Sequence, residues 1–308
     1  MINPSITDSS MTDYSMTEPS PTPILCCQRT SMSVLKMSGA HIRDYLQGQI
    51  TQDIRLLTPE HPIYSAVLSP QGKMVADMYI SDQGNELIMI TATSHAATLI
   101  ERLRRFALGH DIRLGQVEAL GVLSIQGNST DKIIHNICQA IEASIPMPEA
   151  ASYGVWLIMA KEDIQIALAA MPCVCSNETM EKASIIYGTP RFTRDWDAST
   201  YPLNANLIDM KGVSFDKGCY VGQEVTSRMH WRGGIKKKLY CVQIHGNLPK
   251  TPCPIQTTIK IGTLASAATN TDGLHMGIAH LPIELIENKA SLSLENGAPI
   301  TVLEPCHA

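Results

Sequence analysis

The chain has 308 residues, 44% of them hydrophobic and 17% charged, so it can bury a sizeable core in two or three lobes. Its formal net charge of -5 at pH 7 gives no overall attraction for nucleic acid or for an anionic membrane surface, and any polyanion must be bound locally. No run of the sequence approaches the roughly 20 apolar residues of a membrane span. We therefore expect a soluble, cytoplasmic protein with no membrane partner.

The first 24 residues are rich in Ser, Thr and Pro, and they contain three acidic residues but no Lys or Arg. This composition is typical of a disordered tail. It fits neither a secretory signal, which needs a basic start and an apolar run, nor a mitochondrial transit peptide, which is rich in arginine and poor in acids. We predict a disordered tail over residues 1–24.

Nine cysteines are scattered along the chain, an odd number without a CxxC pair. In a long chain without a secretion signal, free thiols are the expected state. The ten histidines are also dispersed, with no HExxH motif and no close pair of the ligand type. The sequence therefore predicts no resident metal or cluster site.

Hydrophobic periodicity predicts a mixed α and β organisation. In the first half we expect a helix over 40–49, a hairpin of 62–69 with 73–80, a strand over 86–91, and an amphipathic helix over 94–108. Leu99, Leu103 and Phe106 are expected on one face of the last helix, with Arg102, Arg104 and Arg105 elsewhere. In the middle we expect strands over 122–125 and 155–160 and a helix over 131–143. Beyond residue 238, short strands over 240–244, 262–266, 276–280 and 300–303 predict a small β-barrel.

The segment Lys217 to Glu224 contains two glycines, a cysteine, an amide, a cation and an acid within eight residues. Glycines let a backbone approach a ligand closely or adopt a positive φ. A lysine as close as Lys217 would favour the reactive thiolate form of Cys219. Gln223 and Glu224 add donors and acceptors suited to a polar heterocycle. The alternative from the residues alone is a tight turn with a buried, inert cysteine.

The octet KGCYVGQE at 217–224 resembles the KGC(Y/F)xGQE signature of the YgfZ family, and VTSRMHWRG at 225–233 resembles its continuation. YLQGQITQD at 45–53 is similar to the family's YLQGQ(V/I)TxD block, and SPQGK at 69–73 to its hairpin. Further similar stretches follow in family order at 188–190, 202–207 and 262–266. The resemblance spans about residues 35 to 280.

This resemblance implies an α+β aminomethyltransferase (T-protein) folate-binding fold, with two ferredoxin-like lobes and a C-terminal β-barrel around a central channel. The implied division is a T-protein-like region of two interleaved lobes over 25–238 and a barrel over 239–308. The implied cofactor is tetrahydrofolate, which needs an apolar slot, an acceptor for its amine and a cation near its glutamate tail. Lys217, Arg228 and Arg232 are candidate cations, or solvated surface charges.

Two positions depart from the aminomethyltransferases that this chain resembles. Those enzymes carry paired acids at the hairpin, where this chain has one acid, in Val75-Ala76-Asp77. Asn204 lies near the position of a pterin-contacting glutamate, and an amide cannot supply negative charge. Both departures argue against aminomethyl transfer. The candidate catalytic residue is Cys219, and the candidate folate-binding residues are Lys217, Gln223, Glu224, Arg228, Asp77 and Asn204.

The leading hypothesis is a folate-binding YgfZ-type protein that uses tetrahydrofolate and Cys219 to support assembly or repair of iron-sulfur client proteins. One alternative is an enzyme, a tetrahydrofolate-dependent aminomethyltransferase or demethylase. A second is a tRNA-modification accessory protein that contacts RNA through the basic stretch Arg228 to Lys238, which carries an aromatic and no acid. The competing interpretation of that stretch is a solvated strand end that leads into the barrel.

Overall fold

A computed structural model describes residues 24–107, 109–127, 143–146, 154–171, 173–256 and 261–306. The predicted tail lies outside these residues except for Ile24. The predicted helix over 131–143 also lies outside them, apart from Ala143, which begins a strand. Among the described residues, no helix has the length and apolar character needed to cross a membrane.

The first part of the chain follows the order expected from its periodicity. Its elements are β1 (Leu25–Gln28), β2 (Met32–Ser38), α1 (Ile42–Gln47), a 3-10 turn (Ile54–Leu56), β3 (Ile63–Leu68), β4 (Met74–Asp82), β5 (Glu86–Ala92), α2 (Thr93–Arg105) and β6 (Arg113–Gln116). Strands β3 and β4 pair antiparallel around the predicted turn. The predicted hairpin, strand and both helices are confirmed, with boundaries shifted by a few residues.

The remainder of the chain completes a second sheet and a barrel. Its elements are β7 (Leu120–Gln126), β8 (Ala143–Pro146), β9 (Gly154–Ala160), α3 (Lys161–Ala169), α4 (Asn177–Ile186), a 3-10 turn (Pro202–Ala205), α5 (Gln223–Trp231), β10 (Lys237–Ile244), β11 (Cys253–Gln256), β12 (Gly262–Thr269), β13 (His275–Pro282), α6 (Ile283–Glu287), β14 (Leu292–Leu294) and β15 (Pro299–Pro305). All four predicted strands beyond residue 238 are present.

These strands form three sheets. One has the order β3-β4-β5-β2-β6, a second has the order β1-β7-β9-β8, and the closed barrel has the order β10-β13-β12-β11-β14-β15. Strand β1 precedes β2 in the chain but pairs with β7 in the other sheet, so the chain enters the second lobe before it builds the first. The two lobes are therefore interleaved, and the α+β class with a barrel is confirmed.

The largest hydrophobic cluster takes residues from both sheets, the barrel and the segment between them. At its centre the ring of Tyr79 on β4 meets Trp156 on β9 edge to face, with 4.8 Å between centroids. Such pairs contribute about 0.5–1.5 kcal/mol beyond their area burial. The aromatic packing thus joins the two lobes at the centre of the molecule.

Contrary to the prediction from periodicity, Phe106 does not share the helical face of Leu99 and Leu103. Leu99 and Leu103 are fully buried, but Phe106 follows the last residue of α2 and is 41% exposed. The helical periodicity ends at Arg105, so Phe106 leaves the buried face, and the guanidinium of Arg102 lies 4.0 Å from its ring centroid. A cation over an aromatic face offsets part of the cost of that exposure.

Candidate functional site

The signature loop, residues 217–224, is anchored to the N-terminal block 45–53 by buried hydrogen bonds. The ammonium of Lys217 donates to the backbone carbonyls of Ile50 at 2.7 Å and Gln52 at 2.8 Å. The amide of Val221 donates to the carbonyl of Gly48 at 3.3 Å. These bonds hold together two stretches that are about 170 residues apart in sequence. They also satisfy backbone carbonyls of the N-terminal block.

Gly222 fixes the other end of the loop against the hairpin turn. Its φ is +86°, and a Cβ at this position would lie 2.6 Å from the carbonyl oxygen of Ser69 and 3.2 Å from the Cα of Gly72. The left-handed conformation and the close backbone approach both need glycine. Gly222 also immediately precedes α5, so it sets where that helix begins.

Cys219 is exposed, between the buried side chains of Lys217 and Tyr220. Tyr220 belongs to the central hydrophobic cluster, and the Lys217 ammonium lies 5.0 Å from its ring centroid. The structure records no hydrogen bond or ion pair to the Cys219 thiol from any residue that it describes. Cys219 is thus presented to solvent by neighbours that are themselves immobilised in the core.

Lys217 is buried, which argues against the predictions that its ammonium binds folate or activates the Cys219 thiol. Its ammonium is already engaged by two carbonyls. Burial lowers the pKa of Lys217 to about 8, with Asp53 opposing the shift and Arg55 adding to it. The structure therefore supports an anchoring role for Lys217, while its predicted contact with folate stays a prediction.

We expect Lys217 to leave a signature in the pH dependence of stability. Because its folded-state pKa lies below the ordinary lysine value of 10.5, the folded protein binds fewer protons than the unfolded chain between about pH 8 and 10.5. The free energy of unfolding should therefore rise with pH across that window. In Lys217→Met this contribution should vanish, as measured by urea unfolding at several pH values. Lys250→Met, at an exposed lysine, should keep the wild-type slope.

Of the other predicted residues near this loop, Glu224 and Arg228 point to solvent. Glu224 and Arg228 form an i,i+4 ion pair at 2.6 Å on α5, with side chains 83% and 59% exposed. Such a pair contributes about 0.3–0.5 kcal/mol. Gln223 is partly buried in the first turn of the same helix. All three residues lie on α5, which begins four residues after Cys219 in the chain.

Asp77 lies in a small space between the first sheet and residues 190–192 that we call the Asp77 cavity. The cavity encloses about 30 Å³ and is lined by Met32, Tyr64, Asp77, Thr91, Arg191 and Phe192, among others. The hydroxyl of Tyr64 donates to the Asp77 carboxylate at 2.8 Å. Gly72, which packs against Gly222, lies in the turn before β4, and Asp77 is the fourth residue of that strand.

The charged groups around Asp77 influence one another. Burial raises the pKa of the Asp77 carboxyl, while the hydrogen bond from Tyr64 and the charge of Arg191 oppose the shift. Burial lowers the pKa of His95, with Asp77 opposing, and the His95 ring packs on Phe192 with 4.4 Å between centroids. The cavity therefore offers a carboxyl group held by a phenol beside a cation and an aromatic wall.

Asn204 occupies a third place, in the 3-10 turn that faces the barrel. Its backbone carbonyl lies 3.0 Å from Nε2 of His280 on β13. Its side-chain oxygen is buried and has no hydrogen-bond partner among the residues that the structure describes. An unpaired buried acceptor is costly, so this oxygen is available to a donor from a ligand.

The predicted site residues thus lie in three local environments: the signature loop with the start of α5, the Asp77 cavity, and the 3-10 turn of Asn204, which contacts α5. Sequence reasoning missed Tyr64 and Arg191. Arg191 directly follows Gly188-Thr189-Pro190, a stretch already similar to the family, and that adjacency was the available signal. Nothing in the sequence around Tyr64 indicated that its hydroxyl would bind Asp77.

An exposed set of rings and cations, the aromatic-basic face, adjoins the signature loop. Phe215 stacks on His230 with 3.9 Å between centroids, and His230 meets Trp231 at 4.6 Å. Trp231 is 71% exposed. The exposed cations of this face are Arg232, Lys236 and Lys237. The predicted basic stretch is therefore on the surface, with an aromatic ladder that reaches solvent.

Ion pairs centred on Glu181 of α4 lie close to the Asp77 cavity. Glu181 binds the fully buried guanidinium of Arg29, lies 2.9 Å from Arg194, and lies 3.9 Å from Arg191, which lines the cavity. Burial opposes ionisation of Glu181, but the three arginines together hold the pKa of its carboxyl below the usual value. Arg194 also pairs with the buried Asp195 at 2.7 Å. Arg29 follows β1, so this network ties the start of the chain to α4.

Cys241 is buried on β10, as expected for a cysteine in a strand-like run, and it contacts a second cysteine. Its sulfur lies 3.4 Å from that of Cys306, which is fully buried just after β15. Both thiols are inaccessible, and burial raises the pKa of Cys306. Cys241 therefore serves as a packing residue, paired with a second buried thiol.

The fold defines the class of protein. The glycine cleavage system aminomethyltransferase T from Bartonella henselae superimposes with a TM-score of 0.77 over 92% of this chain and 85% of that one, at 12% identity. The chain therefore has the aminomethyltransferase (T-protein) fold. This confirms the fold predicted from the sequence.

The sequence relatives carry narrower names. A "tRNA-modifying protein YgfZ" of Vibrio vulnificus is 24% identical over 238 residues, which are 74% of each chain. The mitochondrial "iron-sulfur cluster assembly factor IBA57 homolog" of Coccidioides immitis is 24% identical over 74% of this chain, and that of Mycosarcoma maydis is 28% identical over 72%. The chain spans 59% and 57% of these two fungal proteins. No protein-family model matches the chain. The resemblance to YgfZ-type proteins is confirmed by these relatives.

Proposed function

We propose that this protein supports the assembly or repair of iron-sulfur cluster proteins and that Cys219 is its reacting residue. The observation that carries the proposal is the exposed thiol of Cys219 on a loop anchored from both sides. Lys217 is bound to two carbonyls and Tyr220 is packed in the core, so the loop backbone is held while the thiol is free to meet a partner. The names of the fungal relatives, iron-sulfur cluster assembly factors, support the same assignment.

The proposed chemistry is transient. A protein-bound cluster usually takes four ligands. No group of three or more potential metal ligands occurs in the part of the chain that the structure describes. Cys219 would therefore act as a single thiolate that ligates a cluster iron during transfer, or that exchanges with a sulfur species on the client protein. The client supplies the other ligands.

The test of this function is a strain that lacks its own protein of this type. Expression of this chain should restore the activities of several cluster-dependent enzymes to the wild-type level. Enzymes without clusters in the same strain serve as the control and should be unaffected by deletion or rescue. A strain whose cluster enzymes stay deficient while the chain is expressed and folded would contradict the proposal.

We propose tetrahydrofolate as the cofactor, bound at the Asp77 cavity. The residues fit its chemistry: Asp77 and Thr91 offer acceptors for ring N–H groups, Arg191 offers a cation, and Phe192 offers an aromatic wall. The Asp77 cavity has a volume of about 30 Å³, which holds about one water molecule. The side chains that line it must therefore move apart to admit a pterin ring. When bound, tetrahydrofolate supplies one-carbon chemistry; Asp77 and Tyr64 would hold and orient the ring.

Asp77→Asn is expected to weaken tetrahydrofolate binding at least about tenfold. This is the change in affinity that corresponds to the loss of one hydrogen bond to a charged group. The fold should survive, because asparagine has the same shape and can still accept from Tyr64. Isothermal titration calorimetry and the thermal shift with reduced folate are the measurements.

The matched control is Asp82→Asn, five residues further along β4, where the acid pairs with Arg43 instead of lining the cavity. Its folate affinity should equal that of wild type. Equal affinities for Asp77→Asn and wild type would show that Asp77 is a structural carboxyl. No heat and no stabilisation by reduced folates in the wild type itself would remove folate from the proposal.

The rival enzyme function, aminomethyl transfer or demethylation, is tested separately. The purified chain is incubated with a lipoylated, aminomethylated carrier protein and tetrahydrofolate. Turnover at the rate of a bona fide aminomethyltransferase would favour the rival and make Cys219 incidental. We expect no such turnover, because the hairpin carries a single acid, Asp77, and an amide, Asn204, lies near the position of the pterin-contacting glutamate.

A second candidate function is support of tRNA modification through direct RNA binding. The name of the bacterial relatives, tRNA-modifying protein YgfZ, suggests it. The observation that favours it is the aromatic-basic face, since bases stack on exposed rings and phosphates bind nearby cations. Binding of single-stranded RNA that weakens steeply with salt and is lost in Trp231→Ala would support this function. Binding that is unchanged in that variant would show that the face is a solvated strand end.

A further inference from the structure

Four cysteines from two distant segments meet at the edge of the second sheet. Cys26 and Cys27 lie on β1, and Cys173 and Cys175 lie just before α4. The amide of Cys26 donates to the carbonyl of Cys173, and the amide of Cys175 donates to the carbonyl of Cys26, both at 2.9 Å. This pair of bonds is a parallel β-bridge that sets Cys26 opposite Val174.

The register of the bridge places Cys27 beside Cys175. One step along both chains from the Cys26–Val174 pair leads to these two residues, and neighbouring side chains of parallel strands point to the same face. Strands lie about 4.7–4.9 Å apart, which falls within the Cα separations of roughly 4.4–6.8 Å that disulfides span. No large backbone movement is therefore needed to join the two sulfurs.

The two thiols differ in exposure and reactivity. Cys27 is 2% exposed, whereas Cys175 is partly exposed. The interaction with the Cys27 thiol lowers the pKa of Cys175, although burial opposes this, and the nearby charge of Arg29 contributes. The same interaction raises the pKa of Cys27, with burial adding to the shift. The accessible sulfur is therefore the more easily ionised one, and the buried sulfur keeps its proton.

We propose that Cys27 and Cys175 form a redox-active dithiol, which hydroperoxides oxidise to an intramolecular disulfide. An accessible reactive thiol beside a second, protected thiol is the arrangement of redox-sensing cysteine pairs. This site lies in the second lobe and is independent of Cys219 and of the function proposed above.

The chemistry balances with hydrogen peroxide as the oxidant. The Cys175 thiolate attacks one peroxide oxygen, so an S–O bond forms, the O–O bond breaks, and the departing hydroxide takes a proton to become water. The Cys27 sulfur then attacks the sulfenic sulfur of Cys175, so the S–S bond forms, the S–O bond breaks, and the second hydroxide leaves with the Cys27 proton as water. Two thiols lose two electrons in total, and one peroxide gains them.

The disulfide would join β1 to the lead into α4. The same junction carries the bond from Asn177 to Thr30 and the pair of Arg29 with Glu181. A bridge between residues 27 and 175 closes a loop of about 150 residues, and long closed loops restrict the unfolded chain most. Oxidation should therefore raise the thermal midpoint, by about 5 °C or more. A dithiol reductant should reverse the shift.

The experiment uses the full-length chain, reduced and freed of reductant, and treated with a small molar excess of hydrogen peroxide. Non-reducing peptide mapping by mass spectrometry should find the Cys27 and Cys175 peptides joined, and thiol titration should show the loss of two thiols. Cys175→Ser should abolish the cross-link. Cys173→Ser and Cys219→Ser are the matched controls at exposed cysteines and should retain it.

Each other outcome overturns the proposal. A main product that joins Cys173 to Cys175, or Cys26 to Cys173, would assign the redox chemistry to a different pair. Stepwise oxidation of Cys175 to its sulfinic form without a cross-link would show that Cys27 does not resolve it. Because Cys27 is buried and its replacement can impair folding, the mapping of the wild-type protein decides the question without that variant.

Discussion

Replacing Cys219 by alanine is expected to abolish the recovery of cluster-dependent enzyme activities in a deletion strain, to the level of the empty vector. The variant should fold normally, since the side chain is exposed and surface substitutions change the free energy of unfolding by at most about 0.5 kcal/mol. It should also bind reduced folate with wild-type affinity, because Cys219 does not line the Asp77 cavity. Client activities, the thermal midpoint and a folate titration measure these three results.

Two cysteine controls make the Cys219 result specific. Cys173→Ala removes another exposed thiol and should complement fully. Cys241→Ala removes a buried thiol on β10 and should lower stability while keeping function, since buried cysteine acts as a small apolar residue. Full complementation by Cys219→Ala together with failure of Cys241→Ala would show that the function was assigned to the wrong residue.

Glu181→Ala is expected to be the most destabilising single change among the charged residues discussed, by about 3 kcal/mol. It removes the acidic partner, Glu181, of the Arg29 guanidinium, whose side chain has no solvent exposure. It also removes a pairing partner of Arg194. A loss of this size is a large part of the roughly 5–15 kcal/mol that stabilises a typical domain. The midpoint of urea unfolding at pH 7 should fall, with little change in the denaturant slope.

The control for Glu181 lies one turn earlier on the same helix. Glu178 pairs with Lys182 at 2.7 Å, but its side chain is 77% exposed, so Glu178→Ala should leave the midpoint of urea unfolding almost unchanged. The pH dependence separates the two further. The arginines hold the pKa of Glu181 below its usual value, so its contribution is present above that value and is lost as the pH falls through the folded-state pKa. Equal losses in the two variants would show that the buried network does not stabilise the fold.

Local sequence determined most of the secondary structure. The hairpin β3–β4, both helices of the first lobe and four strands of the barrel follow from periodicity and from turn residues, because these signals act over a few neighbouring residues. The glycine at 222 was recognised as a special backbone position from its sequence context. The octet that contains it was similar enough to a family signature to predict the T-protein fold.

Only the tertiary structure decided what the individual side chains do. Lys217 reads as a surface cation beside Cys219, yet its ammonium is buried against carbonyls of residues 50 and 52. Glu224 and Arg228 were predicted to bind a ligand, yet their side chains form an ion pair with each other at the surface. Burial and long-range partners set these roles, and neither is encoded in the local pattern of the chain.

The same limit explains the sites that the sequence did not indicate. Tyr64 meets Asp77 because β3 pairs with β4, and Arg29 meets Glu181 across 152 residues because β1 crosses into the second lobe. Cys27 and Cys175 become neighbours for the same reason, although the sequence shows only two separated cysteine pairs. The sequence by itself determined most of the elements, the fold and the signature that contains Cys219, whereas the exposure of this thiol is seen only in the structure. The crossing of β1 between lobes, which no short-range pattern records, decided the buried network and the dithiol.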